Sequence, residues 1–261
     1  MSVKKLLKNI APHGLVRLRE QKSRPQSKSL EAFQADFDAK AALFEDNGRF
    51  VCNWADRLPC LDDATEQTGF DPHYTYHPAW AARIVATKKP AIHYDISSSL
   101  AFVSMLSAFV PVAFFDYRPA ALTLSGLSCE RADLLNLHFA DSSIESLSCM
   151  HVVEHVGLER YGDSFDPQGD LKAMHELARV LKPEGTLLFV VPVGAKAIIQ
   201  YNAHRIYTYD QVVSAFTSLQ LESFAFIKDN GTFLEQASSC DTIGQRYGCG
   251  CFCFTKKIDN A

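Results

Sequence analysis

Side chains that can move protons lie in two short segments of this chain. His151, Glu154 and His155 follow a run of apolar residues, and His204 stands beside Arg205 in a later polar segment. Imidazole and carboxylate groups act as general bases when they lie within hydrogen-bond reach of a reacting hydroxyl. A guanidinium group binds phosphate or carboxylate through paired hydrogen bonds. The segments therefore predict proton transfer by a histidine, with Arg205 holding an anionic part of the substrate. A structural role is the alternative for each histidine.

Residues 151–155 also spell His-x-x-Glu-His, a signature of zinc peptidases. Zinc would require both histidines on one face of a long helix and a third ligand, whereas this motif directly follows a predicted strand. Cys249, Cys251 and Cys253 alternate along another predicted strand, so all three face the same side. A metal site there would need ligands from elsewhere, and we expect buried core thiols instead. The sequence predicts no resident metal.

The elements that position these groups alternate between strand and helix, which predicts a doubly wound, mostly parallel sheet. An apolar face formed by Leu171, Met174, Leu177, Ala178 and Leu181 predicts one helix packed on that sheet. The predicted strands are 91–96, 112–116, 144–150, 186–191, 221–227 and 248–255, and the predicted helices are 30–44, 78–87, 100–109, 170–181 and 211–218.

Acidic residues lie at three strand ends, namely Asp95 at the first predicted strand, Asp116 at the second, and Asp133 at a further strand expected before residues 144–150. Ligands of open parallel sheets bind beyond the carboxyl ends of the strands. A carboxylate at the end of the second strand can accept hydrogen bonds from both hydroxyls of a ribose. Capping of a helix or turn is the alternative for all three residues.

Residues 133–193 carry a resemblance to a known family. Residues 137–145 read LHFADSSIE and residues 179–185 read RVLKPEG. These resemble the "LPF-x-D-x-S-F-D" and "RVLKPGG" stretches of class I S-adenosylmethionine (SAM) dependent methyltransferases of the type 11-like group. The resemblance implies a Rossmann-like α/β domain with a seven-stranded sheet over residues 76–257. Residues 1–75 are then a basic arm and a helical extension.

The resemblance also implies SAM as cofactor, with Asp116 on the ribose and Asp133 near the adenine amino group. The residues expected to bind the cofactor are Asp95, Ser97, Ser99, Asp116, Tyr117, Asp133 and Leu134. The family usually has D-x-G-x-G-x-G after the first strand, but residues 95–100 read DISSSL. Glycine there lets the backbone approach the cofactor, whereas serines add bulk but can cap the next helix and donate hydrogen bonds. The missing glycines favour a catalytically silent member.

A narrower resemblance rests on residues 148–163 and 201–207. Together with residues 95–99 and 116–119, they look like a bacterial domain-of-unknown-function branch of the superfamily, often associated with surface-polysaccharide gene clusters. That association implies a sugar, nucleotide-sugar or glycan acceptor, contacted by Arg205, Tyr161 and Asn202. The loop between Gly157 and Gly169 is either a lid over the acceptor or a polar connection.

Charge and cysteine content indicate which partners and which cellular compartment to expect. A net charge of −4 argues against general nucleic-acid binding. Residues 1–30 are basic, so they either contact an anionic membrane or a partner protein, or form a solvated tail. Eight cysteines without a signal segment favour reduced thiols in the cytoplasm. The predicted function is SAM-dependent O-methylation, with His151 or His204 as base. The alternatives are a silent binding or assembly protein of the same fold, and a protein that binds another nucleotide.

Overall fold

The computed structural model describes residues 29–45 and 49–258. These residues divide into two units, one before residue 71 and one from residue 71 onwards. In the first unit, helix α1 (Leu30–Glu45) is followed by a 3₁₀ turn at Trp54–Asp56. The ring of Trp54 packs against those of Phe33 and Phe37, with centroids 5.9 and 5.1 Å apart. The basic arm, residues 1–30, was predicted to contact an anionic membrane or a partner protein. Residues 1–28 of this arm lie outside the described residues.

The second unit contains the sheet and four helices. Helix α2 (Pro72–Lys88) begins earlier than predicted, because the Asp71 side chain caps it and Pro72 suits its first turn. The other helices are α3 (Leu100–Leu106), α4 (Gly169–Val180) and α5 (Tyr209–Ala215). The strands are β1 (His93–Ile96), β2 (Val112–Asp116), β3 (Leu127–Arg131), β4 (Ile144–Met150), β5 (Leu181–Val193), β6 (Ile198–Gln200), β7 (His204–Ile206), β8 (Leu219–Ile227), β9 (Phe233–Leu234) and β10 (Gly248–Lys256).

The main sheet has the order β3-β2-β1-β4-β5-β10-β8-β9. Strands β1 to β5 pair in parallel, and β10 lies antiparallel between β5 and β8. The sheet has eight strands and not the expected seven, because the two-residue strand β9 pairs with the edge of β8. Strands β6 and β7 form a separate hairpin.

Apolar side chains cover the sheet on both faces, which explains why its central strands read as continuous apolar runs. One face packs against α4 and α5, and the other against α2 and α3. Cys249, Cys251 and Cys253 are all buried on the α2 side, which confirms that they share one face. Leu171 was expected to be buried in α4 but is 43% exposed. Asp170 takes the inward position in that turn, where it accepts a hydrogen bond from the Tyr207 hydroxyl.

All eight cysteines are free thiols. Among the described residues, no helix combines the length and apolarity that a membrane crossing requires.

Candidate functional site

The order of the strands reverses between β1 and β4, the switch point at which open α/β sheets bind their ligands. Three predicted site residues lie at the carboxyl ends of adjacent strands there. Asp95 belongs to β1, Asp116 ends β2, and His151 follows β4. The topology therefore brings the predicted cofactor and proton-transfer residues to one edge of the sheet.

Asp95 is fully buried, and both of its carboxylate oxygens have partners inside the protein. Oδ1 accepts a hydrogen bond from the Ser98 amide at 2.9 Å, and Oδ2 accepts one from the Ser148 hydroxyl. Burial raises the pKa of Asp95 to about 6, although the bonds from Ser148 and Ser98 oppose this change. In this arrangement Asp95 fixes the loop after β1 and leaves no oxygen free for a ligand.

The glycine-free loop is tight despite its serines. Ser97 has φ of 55°, in the left-handed region that glycine usually occupies, and its amide donates to Phe115 O at 2.8 Å. The Ser98 hydroxyl accepts a bond from the Met150 amide at 3.1 Å, and Ser99 caps α3 through the Phe102 amide. Ser97 thus forms the sharp turn that the sequence pattern assigns to glycine.

Asp116 is half-buried, and its Oδ1 accepts a hydrogen bond from the Arg118 amide at 2.7 Å. No other hydrogen bond to this carboxylate is present in the described part of the chain, so Oδ2 can accept bonds from a ligand. Tyr117 is 41% exposed beside it. These features fit the predicted ribose contact, which stays a prediction.

Asp133 lies two residues beyond the end of β3 and not at the strand end as expected. Its Oδ1 accepts a hydrogen bond from the Leu135 amide at 2.9 Å, which closes a short turn. Asp133 is exposed in this turn. Leu134 is buried in the core below this turn.

The proton-transfer candidates form one buried cluster. Glu154 Oε1 lies 2.9 Å from His151 Nδ1 and 3.8 Å from His155 Nε2. Burial alone would raise the pKa of Glu154, but the neighbouring imidazoles of His155 and His151 outweigh it and lower the pKa. Glu154 Oε2 is buried without a hydrogen-bond partner among the described residues. Within the zinc-peptidase motif, residues 153–155 form a single 3₁₀ turn. The motif therefore does not lie on an α-helix.

His151 and His204 differ in the atoms that they leave free. The ring of His151 is engaged on both sides, by Glu154 at Nδ1 and by Cys249 Sγ at 3.4 Å from Nε2. His204 Nε2 is buried and has no partner in the described part of the chain. Burial lowers the pKa of His204 to about 4 against the opposing effect of Glu154, so this imidazole is neutral at pH 7. His155 Nδ1 lies 2.6 Å from Ala203 O, which fixes its ring.

The predicted acceptor contacts are in different environments. Arg205 is 6% exposed, and its guanidinium donates to the Val156 carbonyl at 2.7 Å and lies 3.5 Å from the Asp170 carboxylate. It therefore holds the base of the loop between Gly157 and Gly169 and has no exposed group for an anion. Tyr161 and Asn202 are exposed. The guanidinium groups of Arg118 and Arg160 lie 4.8 and 5.0 Å from the centre of the Tyr161 ring.

Sequence reasoning missed the part of the site that α2 and β10 supply. His73 and His77 lie one turn apart in α2, and both rings lie close to His151, with centroids 5.9 and 5.0 Å from it. Tyr247, just before β10, stacks on His73 at 5.5 Å. The His-x-x-x-His spacing in the sequence was the available signal, because residues four apart share one face of a helix.

The structure is similar to that of a 1,6-didemethyltoxoflavin-N1-methyltransferase from Burkholderia thailandensis, which holds 1,6-didemethyltoxoflavin and S-adenosylhomocysteine. The TM-score is 0.51 over 87% of this chain and 88% of that chain, at 9% identity. The N-methyltransferase NodS from Bradyrhizobium japonicum gives a TM-score of 0.49 over 72% of this chain and 98% of that chain, at 16% identity. Together with the topology, the first likeness establishes the Rossmann-like α/β fold of these methyltransferases.

The sequence gives a separate result. Residues 132–236 match the model of a family described as "Caenorhabditis protein of unknown function, DUF268". That description names Caenorhabditis and not the bacterial branch that the sequence suggested, and it contains no link to polysaccharide synthesis. No curated protein matches the sequence of this chain.

Proposed function

We propose that this protein is a SAM-dependent methyltransferase that methylates an oxygen of a small hydroxylated acceptor. The observation that carries the proposal is the placement of Asp116, with a free carboxylate oxygen, beside the left-handed turn at Ser97 and at the switch point of the sheet. Bound SAM supplies a methyl group on a positively charged sulfur. The chain's own residues must hold the nucleoside and bring the acceptor hydroxyl to that methyl group.

The geometry favours His204 over His151 as the group that takes the acceptor proton. His204 is neutral at pH 7 and its Nε2 has no partner among the described residues, whereas both ring nitrogens of His151 face other side chains. His155 and Glu154 position the cluster through the Ala203 carbonyl and His151. Asp116 and Tyr117 hold the ribose side of the cofactor, and Asp133 lies towards the adenine.

Sugars, nucleotide sugars and glycan precursors are the first acceptors to test. The support for them is the resemblance of residues 148–163 and 201–207 in the sequence. The exposed Tyr161 and Asn202 are the acceptor contacts that we retain, because both side chains are accessible. The free state of all eight cysteines favours a reducing compartment such as the cytoplasm for this reaction.

Calorimetric titration of the full chain with SAM and with S-adenosylhomocysteine tests the proposal. We expect binding in the micromolar range, lost in Asp116→Ala and retained in Glu130→Ala, a change of an exposed acid on β3. Turnover is then measured as release of S-adenosylhomocysteine with each acceptor. His204→Gln should lower turnover about 100-fold to 10,000-fold at unchanged SAM affinity, as loss of a general base does.

Absence of binding at millimolar SAM would overturn the proposal. The protein would then have the fold without its cofactor, and the silent binding protein would be the better hypothesis. Binding that survives Asp116→Ala would place the cofactor elsewhere.

A further inference from the structure

A nitrogen-and-sulfur donor set lies where α2, β4 and β10 meet. His73 belongs to the first turn of α2, His151 directly follows β4, and Cys249 is the second residue of β10. One ligand atom from each residue lies within 4.8 Å of the other two. Cys249 Sγ lies 3.4 Å from His151 Nε2. Three donors this close together can coordinate one ion, since bonds from zinc to nitrogen or sulfur are about 2.0–2.3 Å long.

Each donor is held in place by the fold. The Asp71 side chain accepts a hydrogen bond from the Tyr74 amide at 3.2 Å, and this cap fixes the first turn of α2, which contains His73. The backbone of Cys249 lies in a strand paired on both sides, by β5 and by β8. His151 has φ of 57°, and its amide donates to Val190 O at 2.8 Å. A left-handed residue directly after a buried strand turns its side chain out of the strand direction, and such backbone outliers concentrate at functional sites.

Glu154 supplies the second shell that metal-binding histidines usually have. Its Oε1 lies 2.9 Å from His151 Nδ1, so His151 directs its other nitrogen towards Cys249. A carboxylate in this position fixes the ring and makes the ligating nitrogen more basic. The second oxygen of Glu154 is buried without a hydrogen-bond partner among the described residues, so the pocket beside the three donors contains an unused hydrogen-bond acceptor.

The chemical forms of the donors suit a cation. Imidazole nitrogen and cysteine sulfur are both common ligands of zinc. Two imidazoles and one thiolate select zinc and similar transition metals over magnesium and calcium, which prefer oxygen ligands.

We propose that His73, His151 and Cys249 bind one Zn²⁺ ion or a related transition-metal ion, with Glu154 orienting His151. Three protein ligands leave one tetrahedral position open, as in catalytic zinc sites. In that position the ion would bind the acceptor hydroxyl and lower its pKa. This role rests on the proposed methyltransferase function, whereas metal binding itself does not.

Metal titration of the full chain without SAM tests the site. Protein treated with a chelator is titrated with Zn²⁺ in competition with a chromophoric chelator, and with Co²⁺, whose bond to a thiolate gives a charge-transfer absorption. We expect one equivalent to bind, with the cobalt–thiolate band present. Cys249→Ser should remove that band, and Cys253→Ser, a buried cysteine on the same strand, should keep it.

Two histidine variants keep the test decisive if Cys249→Ser fails to fold. His73→Gln, at the half-buried start of α2, should weaken Zn²⁺ binding at least about 100-fold, whereas the exposed His175→Gln should leave it unchanged. Glu154→Gln should weaken it about 10-fold to 100-fold, as removal of an outer-shell partner does. Melting temperatures report whether each variant is folded.

Three results would overturn the proposal. These are no stoichiometric uptake by the folded wild-type protein, equal Zn²⁺ affinity in His73→Gln and His175→Gln, and loss of the cobalt band in Cys251→Ser but not in Cys249→Ser. Cys251 is the relevant comparison because its sulfur lies 3.9 Å from that of Cys249. Since no cofactor enters the titration, failure here leaves SAM binding as a separate question.

Discussion

Ser97 adopts the left-handed backbone conformation that glycine usually supplies in this loop. Its φ of 55° costs an ordinary residue about 1–2 kcal/mol, and its amide and hydroxyl both reach Phe115 O, at 2.8 and 3.3 Å. We expect Ser97→Val to lower the free energy of unfolding by about 2 kcal/mol, because a β-branched side chain is worst in this region. Ser97→Gly should stay within about 0.5 kcal/mol of wild type, since the relief of strain offsets the lost hydroxyl bond. Denaturant titration measures both variants, and equal stabilities would show that the turn is not strained.

Asp95 should make the stability of the protein depend on pH in an unusual direction. Its pKa is about 6 in the folded protein and about 3.9 in an unfolded chain. Between these values the folded state holds a proton that the unfolded state has released, so stability falls as pH rises through this window. The change is on the order of 2–3 kcal/mol, because one pKa unit corresponds to about 1.4 kcal/mol.

Asp95→Asn provides the check on this slope. The amide oxygen can still accept from the Ser98 amide, and the amide nitrogen can donate to the Ser148 hydroxyl. The variant should lose this contribution to the pH dependence, which is read from denaturant midpoints between about pH 4 and about pH 7. A variant with the wild-type slope would mean that another group titrates.

At the scale of elements, the loop between Gly157 and Gly169 is anchored at its base. The Asp166 amide donates to Gly157 O at 3.0 Å, and the Gly169 amide donates to Asp166 O at 3.0 Å. Arg205 donates to the Val156 carbonyl on the same side. The exposed Tyr161 is in the part of this loop that lies over Arg118, next to Asp116. The loop thus has a fixed base and an accessible tip, a form suited to covering a ligand.

Two glycines of this loop offer a matched pair of substitutions. Gly157 and Gly162 both have positive φ, of 79° and 85°. A Cβ at Gly157 would overlap the carbonyl oxygen of Asp166, whereas a Cβ at Gly162 would meet no atom within 4 Å. We expect Gly162→Ala to cost about 1 kcal/mol of stability from backbone strain alone. Gly157→Ala should cost at least about 2 kcal/mol more, because the loop base must open. Thermal unfolding compares them, and equal losses would contradict the anchored base.

The helices and strands show which parts of the fold could be predicted from the sequence. β2 and β4 have the predicted bounds and α4 lies within one residue of them, because continuous apolar runs and a 3.6-residue apolar period dominate there. The eighth strand could not be predicted, since β9 is two residues long and has little pattern of its own. The early start of α2 follows from the Asp71 cap and Pro72, a signal that the expected start at Pro78 overlooked.

At the scale of the molecule, the candidate site divides into a predictable and an unpredictable part. Asp95, Asp116 and His151 could be placed together because parallel strands align their carboxyl ends. His73 and Cys249 could not be placed beside them. Their placement depends on the insertion of β10 between β5 and β8 and on the position of the start of α2 near the carboxyl ends of the strands. Both depend on packing between residues that are far apart in the sequence.

The division of the chain after residue 70 predicts that the site belongs to the second unit alone. In the part of the chain that the structure describes, the strands, the helices α2 to α5 and every proposed site residue lie within residues 71–261. We therefore expect a chain of residues 71–261 to keep the melting temperature of the full protein within a few degrees and its SAM affinity within about threefold.

A chain that begins at residue 89 is the matched control. It lacks α2 and with it the buried side chains of Trp80, Ala81 and Val85, so it exposes one apolar face of the sheet to water. Loss of such buried groups costs about 2–5 kcal/mol each for the larger ones, a large fraction of the stability of a typical domain. This chain should therefore aggregate or melt without a cooperative transition. If residues 71–261 behaved in the same way, the first 70 residues would be part of the fold that builds the site.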